Sequence, residues 1–168
     1  NLFYYCDLNS PSVVYNEKTG KYVMWLGYNA GNVLVATSDT PYDNFQVVKA
    51  PFSVNGGIRY HSIFKDEDNK AYLITYCYDD GDDVPKFFLY ALTDDYLEID
   101  DVNYSWGIVS MGYANAATGF GGIVKHNGWY YLFLGDFGDK DTNDDGWLDY
   151  SPYYHTFITR DNVYRGVS

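Results

Sequence analysis

Basic residues are scarce in this sequence, and their scarcity argues against one class of partner. The chain of 168 residues has 11 Lys and Arg against 23 Asp and Glu, which gives a formal net charge of −12 at pH 7. A surface with this charge repels phosphate backbones, so we expect no nucleic-acid partner. The same surface suits neutral sugars, cations and other proteins.

Long apolar runs are also missing. No stretch approaches the roughly 18 consecutive apolar residues that a membrane-spanning helix needs, so we expect no membrane span. Aromatic residues, by contrast, are abundant, with 20 Tyr, 10 Phe and 4 Trp. Intrinsically disordered chains carry far fewer, so the sequence predicts a folded protein. The length suits one domain or a part of a larger one.

Cysteine occurs only twice, as Cys6 and Cys77. The two residues form neither a zinc pattern nor a disulfide scaffold, and either one bridge or two buried thiols fits the sequence. The chain begins at Asn1 with neither an initiator Met nor a signal sequence, so we expect a processed or incomplete chain. The acidic, Tyr-rich composition and a glycosylation sequon at Asn103-Tyr104-Ser105 favour a secreted, extracellular protein.

Helix signals are almost absent, whereas a hairpin pattern occurs three times. Short runs rich in Val, Ile, Tyr, Phe and Trp alternate with clusters of Gly, Asn and Asp, as in all-β domains. In each unit an apolar strand leads through a tight polar turn into an aromatic-rich strand, and a third strand follows. The matching first strands lie at Val13, Ile63 and Ile123.

The spacing of these units predicts a β-propeller. Val14 is matched by Phe64 after 50 residues and by Val124 after a further 60, and propeller blades of three or four strands repeat about every 40–50 residues. We therefore predict one partial domain, residues 1–168, with about three antiparallel blades and large apolar side chains between them. The predicted blades cover approximately residues 10–50, 58–101 and 118–165. A β-sandwich with three similar hairpins is the alternative.

An acidic loop near the end of the chain has the spacing of a calcium site. Starting at Asp141, oxygen donors recur at alternate positions, and Gly146 lies where such a loop turns sharply. Hard oxygen donors at this spacing favour Ca²⁺ over zinc, and the alternative is a solvated acidic hairpin tip. Pro152 replaces the last Glu of an EF-hand loop, so the pattern is a shorter one. The predicted ligands are Asp141, Asn143, Asp145, the carbonyl of Trp147, and Asp149.

Four segments carry a family resemblance. They are SPSVVYNEKTGKYVMW at residues 10–25, RYHSIFKDEDNKAYL at 59–73, LTDDYL at 92–97 and KHNGWYYLF at 125–133. These segments resemble the blades of glycoside hydrolase family 43 enzymes similar to exo-β-1,3-galactanases. The resemblance implies a five-bladed propeller, of which this chain holds about three blades. A three-bladed part cannot close a ring, so the remaining blades would come from flanking sequence or from self-association.

The resemblance also implies hydrolysis of glycosidic bonds by converging carboxyl groups, and the matching positions lack them. The acidic position at the start of the family's blade falls on Asn9, the Asp of its Arg-Asp-Met motif on Tyr60, and its general-acid Glu on Gly119. Because none of these side chains is a carboxylic acid, we expect no catalytic residue at these positions. The candidates for a displaced carboxylate are Asp7, Asp136 and Asp139.

Residues at the start of each first strand line the central funnel of such a propeller and are the predicted carbohydrate contacts. Periodicity assigns other aromatic residues, among them Trp25, Tyr72 and Tyr131, mainly to contacts between blades. The predicted carbohydrate contacts are Asn9, Arg59, Tyr60, His61 and Phe120.

Two functional hypotheses follow from these observations. The first is a non-catalytic, extracellular propeller that binds galactan-like carbohydrate, or serves as a structural or assembly module, with a calcium-stabilised loop. The second is an active exo-acting glycosidase of galactan-type polysaccharide, whose carboxylates lie outside these residues or have moved within them.

Overall fold

The computed structural model describes residues 7–29, 31–58, 60–78, 85–100, 106–110, 119–135 and 154–159, and their regular structure is entirely β. None of these residues is helical, so the described part has no helix that could cross a membrane. Its strands, in chain order, are β1 (Leu8–Asn16), β2 (Lys21–Tyr28), β3 (Gly31–Ser38), β4 (Gln46–Ile58), β5 (Tyr60–Lys65), β6 (Ala71–Tyr78), β7 (Pro85–Ala91), β8 (Trp106–Ser110), β9 (Gly119–His126), β10 (Trp129–Gly135) and β11 (Tyr154–Thr159).

The strands form three antiparallel sheets, which we call blades 1, 2 and 3. Blade 1 has the order β1-β2-β3-β4, blade 2 the order β5-β6-β7-β8, and blade 3 the order β9-β10-β11. The predicted first strands at Val13, Ile63 and Ile123 lie in β1, β5 and β9, each of which begins its sheet. The all-β, partial-propeller prediction is therefore confirmed.

Short-range chemistry explains the hairpin turns. Between β9 and β10 the turn is Asn127-Gly128, and both residues have positive φ, at 50° and 76°, as a two-residue type I′ hairpin requires. Between β1 and β2 the Asn16 side chain accepts the Thr19 N–H at 2.9 Å, and Gly20 adopts a φ of 67°. These residues bend the chain back without distorting the strands on either side.

The fourth strands, β4 and β8, were not predicted. β4 contains Pro51 and Gly57, which usually interrupt a strand, and its register against β3 shifts at several points. An edge strand tolerates these residues because one side of its backbone needs no partner strand. As a result, blade 1 continues to Ile58 rather than ending at residue 50.

One apolar cluster joins blade 1 to blade 2. Trp25 at its centre is fully buried, and its indole N–H donates to the carbonyl of Tyr96 at 2.8 Å. Tyr72 is buried on the other face of blade 2, where its ring stacks on Phe64. The prediction of large apolar side chains between blades is confirmed for this contact. The buried members of the cluster are Val23, Trp25, Val33, Val35, Val54, Ala71, Leu73, Phe88, Tyr90, Leu92 and Tyr96.

The first strands of the three blades lie side by side, with β5 between β1 and β9. The backbone N–H of Ile63 donates to Ser12 Oγ at 2.9 Å, which ties β5 to β1. Ser62 makes the corresponding approach to β9, because its Oγ lies 3.5 Å from where a Cβ on Gly122 would be. Ser12, Ser62 and Gly122 follow the same 50- and 60-residue spacing as the hairpins. The contact between blades is therefore itself repeated, as in a propeller.

Ion pairs at the other end of these strands also join each blade to the one before it, with the same 60-residue spacing between Lys65 and Lys125. Lys65, the last residue of β5, reaches back to Glu17 in the turn of blade 1, with Nζ 2.5 Å from the carboxylate. Its hydrogen bond lowers the pKa of Glu17. Lys125, which is 60 residues further on, reaches back to Asp66 in the turn of blade 2 at 2.7 Å and to Glu67 at 3.1 Å. Each turn is thus fastened to the next blade by a lysine.

Substitution of Lys125 by methionine should destabilise the protein by about 1–2 kcal/mol, because the carboxylate of Asp66, whose side chain is only 9% exposed, loses its ion-pair partner. Lys18→Met is the matched control. It breaks the Lys18–Asp94 pair, whose side chains are 68% and 84% exposed, and should cost no more than about 0.5 kcal/mol. Urea unfolding of both variants measures the difference, and equal losses would contradict the assignment of the Lys125 pair to the contact between blades.

Candidate functional site

The predicted carbohydrate contacts that the structure describes lie at the beginnings of β1, β5 and β9, and two of these strands are bulged there. The register of β1 against β2 shifts between Asn9 and Ser12, and that of β9 against β10 shifts between Phe120 and Gly122. Ser10, inside the first bulge, has a φ of 48°. A bulge redirects the side chains that precede it, and such irregularities are common beside binding sites.

The structure describes the predicted contacts unequally. Asn9 lies in β1 with an exposed side chain. Tyr60 is the first residue of β5 and Phe120 the second of β9, but their side chains lie outside the described part of the chain. Arg59 also lies outside the described residues. The role of all four in carbohydrate binding stays a prediction.

The amide side chain of Asn9 lies directly on the backbone of Gly27. The two residues are cross-strand partners in β1 and β2. A Cβ on Gly27 would lie 2.2 Å from Asn9 Oδ1 and 2.8 Å from its Cγ, which is closer than atoms can approach. Gly27 therefore leaves room for the amide. Because side chains alternate along a strand, this amide and Trp25 are on the same face of blade 1, the face toward blade 2.

His61 and Thr75 face blade 1 from the opposite side of the same interface. They are cross-strand partners in β5 and β6, and they alternate with Ile63 and Leu73, which pack on the cluster between the blades. Their exposed fractions are 5% and 0%. Within the described part of the chain, neither ring nitrogen of His61 makes a hydrogen bond. The hydroxyl group of Thr75 makes none either. The side chain of His61 is buried between the two blades, and its role as a carbohydrate contact stays a prediction.

The electrostatic environment keeps His61 neutral. Burial lowers the pKa of its imidazole below the ordinary value of 6.5, because the charged form is poorly solvated there. The backbone carbonyl of Trp25 opposes part of this pKa shift, although it does not complete a hydrogen bond with good distance and angle. A neutral imidazole is therefore the form that fits this interface.

Of the three candidates for a displaced catalytic carboxylate, the structure describes only Asp7. Asp7 is exposed just before β1, where its N–H donates to Asn29 Oδ1 at 3.1 Å. Asp136 and Asp139 lie outside the described residues. Where side chains are described, no group of three or more His, Cys, Asp and Glu could hold a metal ion. The predicted calcium ligands from Asp141 to Asp149 also lie outside the described residues, so calcium binding stays a prediction.

Gly27 and Thr75 were missed by the sequence reasoning. A glycine inside an apolar strand often marks a close approach of another group to the backbone, and this signal was present at Gly27. Thr75 ends an otherwise apolar run that begins at Ala71, so its polar side chain was also visible. Neither signal tells which residue lies opposite, because that depends on the pairing of strands.

Comparison with known proteins places this geometry in a known fold. No protein-family model and no curated protein matches the chain. Among solved structures, a β-1,3-galactosidase of glycoside hydrolase family 43 is similar, with a TM-score of 0.66 and 25% identity over 93% of this chain and 30% of that one. An exo-β-1,3-galactanase from Phanerochaete chrysosporium with β-1,3-galactotriose has a TM-score of 0.61 and 29% identity, over 80% of this chain and 30% of that one.

A third similar structure carries a different activity in its name. It is an endo-1,4-β-xylanase from Bacteroides thetaiotaomicron, with a TM-score of 0.61 and 22% identity over 90% of this chain and 49% of that one. The chain therefore has a fold like that of glycoside hydrolase family 43, whose members are five-bladed propellers, and forms part of such a propeller. It spans 30% of the length of each of the first two structures.

Gly27→Ala should displace the Asn9 amide, because the new Cβ would lie only 2.2 Å from Asn9 Oδ1. We expect a loss of stability that is partly recovered in the Gly27→Ala, Asn9→Ala double variant, with a coupling of about 0.5–1.5 kcal/mol between the two positions. Urea unfolding of the two single variants and the double variant measures this coupling. Additive losses would mean that the two side chains do not meet.

Proposed function

We propose that this chain is part of an extracellular, glycosidase-like propeller that binds carbohydrate and does not hydrolyse it. The observation that carries this proposal is the replacement of carboxylic acids at the three matching positions, by Asn9, Tyr60 and Gly119. Glycoside hydrolysis needs one group that protonates the leaving oxygen and another that acts from the opposite face. An amide, a phenol and a hydrogen atom do not supply that pair near neutral pH.

Asn9 supports binding for the same reason that it argues against catalysis. Its amide both donates and accepts hydrogen bonds, which suits the hydroxyl groups of a neutral sugar. The amide is exposed and is held against Gly27, so little side-chain freedom is lost when a ligand binds. A fixed, neutral, two-way hydrogen-bonding group is what a sugar site without catalysis requires.

A galactan-like ligand is the sugar class that the comparisons favour. The two structures with identities of 25% and 29% are named as enzymes of β-1,3-linked galactose, and one contains β-1,3-galactotriose. The xylanase shows that this fold also serves another sugar. The net charge of −12 favours a neutral glycan over an acidic one.

An active exo-acting glycosidase is the second candidate, and the length of the chain favours it. Since the chain spans 30% of each of the first two structures, catalytic carboxylates of the whole protein would have room to lie elsewhere. Within this chain the displaced candidates remain Asp7, Asp136 and Asp139.

Assembly with further blades is a part of the same proposal. Val13 and Tyr15 in β1 are exposed, although their counterparts Ile63 and Lys65 in β5 face the preceding blade. Val124 in β9 is exposed as well, although its counterpart Phe64 is buried. These two outer faces suit further blades, supplied by the rest of a longer chain or by self-association, and they support a structural or assembly role.

Titration calorimetry with β-1,3-galactotriose, together with a reducing-sugar assay on β-1,3-galactan, tests binding against hydrolysis. We expect binding without turnover, and Asn9→Ala should weaken binding about tenfold through lost hydrogen bonds. His126→Ala, at the exposed end of β9, should leave binding unchanged. Clear turnover would contradict the first candidate and favour the second, and loss of turnover in Asp7→Asn would then identify a displaced carboxylate.

Calcium is the proposed cofactor of the loop that contains Asp141, Asn143, Asp145 and Asp149. If Ca²⁺ saturates this loop, a chelator should lower the melting temperature by roughly 5–10 °C, because a ligand at 100 times its Kd stabilises the folded state by about 2.7 kcal/mol. Asp145→Ala should remove this sensitivity, and Asp39→Ala, in an exposed ion pair elsewhere, should keep it. A melting temperature that chelator leaves unchanged would mean that the loop is only an acidic turn.

A further inference from the structure

A polar pair lies inside the apolar contact between blades 1 and 2, and the proposed sugar binding does not use it. Thr75 in β6 has His61 opposite it on β5 and Phe88 opposite it on β7. Both polar side chains are almost completely buried, and the described part of the chain offers no completed hydrogen bond to either. Buried polar groups are usually paired, so an unpaired histidine in such a place calls for a physical explanation.

The protonation state of the histidine decides whether this packing is favourable. A neutral imidazole costs a limited amount in an apolar contact. An imidazolium ion brings a full charge and a second N–H donor into the same space. A charge that is buried without an opposite charge is far more costly than a neutral polar group.

Charged groups on the surrounding strands do not offset that cost. Residues 71–75 of β6 and residues 22–28 of β2 contain no Asp, Glu, Lys or Arg. Asp7, just before β1, is exposed, and Asn9 and Ser12 on β1 are neutral. The described carboxylates that form ion pairs between these two blades are each bound to a lysine rather than to His61. Those ion pairs are Lys65–Glu17, Lys18–Asp94 and Lys49–Glu98.

We propose that His61, packed beside Thr75, acts as a proton-sensitive latch between blades 1 and 2, which is closed when His61 is neutral and is loosened when His61 takes up a proton. Asn9 lies on the same interface, on the face of blade 1 toward blade 2, so acidification would loosen the packing beside the candidate sugar site. The latch does not depend on carbohydrate binding, and it can be tested on the unliganded protein.

The direction of the pH effect follows from the two states of the chain. Unfolded, His61 titrates near pH 6.5, whereas in the folded protein burial lowers its pKa. Between these two values the unfolded chain holds one more proton than the folded one. Stability from this group is therefore complete above about pH 6.5, and it falls as the pH decreases toward the folded pKa. One proton limits the effect to tenfold in the folding equilibrium constant per pH unit.

Unfolding by urea between pH 7.5 and 5.0, in wild type and in His61→Met, tests the latch. The carboxylates contribute to the pH dependence of both proteins alike, so the difference between the two isolates His61. We expect the folding constant of wild type to fall more steeply below pH 6.5, by up to tenfold per pH unit more than in His61→Met. The matched control His126→Gln changes an exposed histidine and should keep the wild-type dependence.

An NMR titration of wild type tests the latch independently of whether His61→Met folds. The midpoint for the His61 ring in wild type can be read from an NMR titration of the histidine C2–H signals, and it should lie below 6.5. In Thr75→Val, which removes only the hydroxyl, the midpoint should stay low because burial is its cause. A midpoint for His61 at or above 6.5, or an equal pH dependence of wild type and His61→Met, would overturn the latch.

Discussion

Face-to-face packing of blades 1 and 2 fixes the position of each described side chain in the candidate site. Alternate residues of a strand point to opposite faces, so the burial of Trp25 and Leu73 in one cluster determines which residues share their faces. On blade 1 these include Gly27 and, after the bulge, Asn9. On blade 2 they include His61. The apolar contact therefore brings an exposed amide and a buried imidazole to one interface.

The free edges of the first strands impose a second requirement. β1, β5 and β9 each have a neighbour strand on one side only within their own sheets, so part of their backbone needs other partners. Ser12 meets this need for Ile63 by accepting its N–H. The bulges in β1 and β9 lie at the same ends of these strands, where the side chains matching the family's acidic positions begin. Changes of residue at these positions can therefore alter the chemistry while the packing stays in place.

Local sequence signals were sufficient for the hairpins, because their causes are local. Asn127-Gly128 supplies the two positive φ angles that a tight turn needs, and the alternation around Val13 and Ile63 marks strands with two different faces. β4 was hidden because Pro51 and Gly57 are unfavourable in most strands and are tolerated only at a sheet edge. That edge position comes from the order of strands in the sheet, and a local pattern does not contain it.

The candidate site was only partly predictable for a related reason. The family resemblance pointed to Asn9 and Tyr60 at the starts of first strands, and both begin or nearly begin β1 and β5. The resemblance also placed His61 among the sugar contacts. The side chain of His61 is buried against blade 1, and which face of β5 it lies on is set by the pairing of β5 with β6. The contact of Asn9 with Gly27 depends on the bulge in β1, because the bulge shifts the register by one residue and so changes the face on which Asn9 lies.

Hydrogen exchange at the Ile63 amide tests most directly whether β1 and β5 pack side by side, on which the site and the latch both depend. The amide lies in a strand at the edge of its sheet, and it is held by Ser12 Oγ at 2.9 Å. We predict slow exchange of this amide by NMR in wild type. In Ser12→Ala the Ile63 amide should exchange much faster, while amides in β6 stay protected. Rapid exchange of the Ile63 amide in wild type, or a rate that Ser12→Ala does not change, would contradict this prediction.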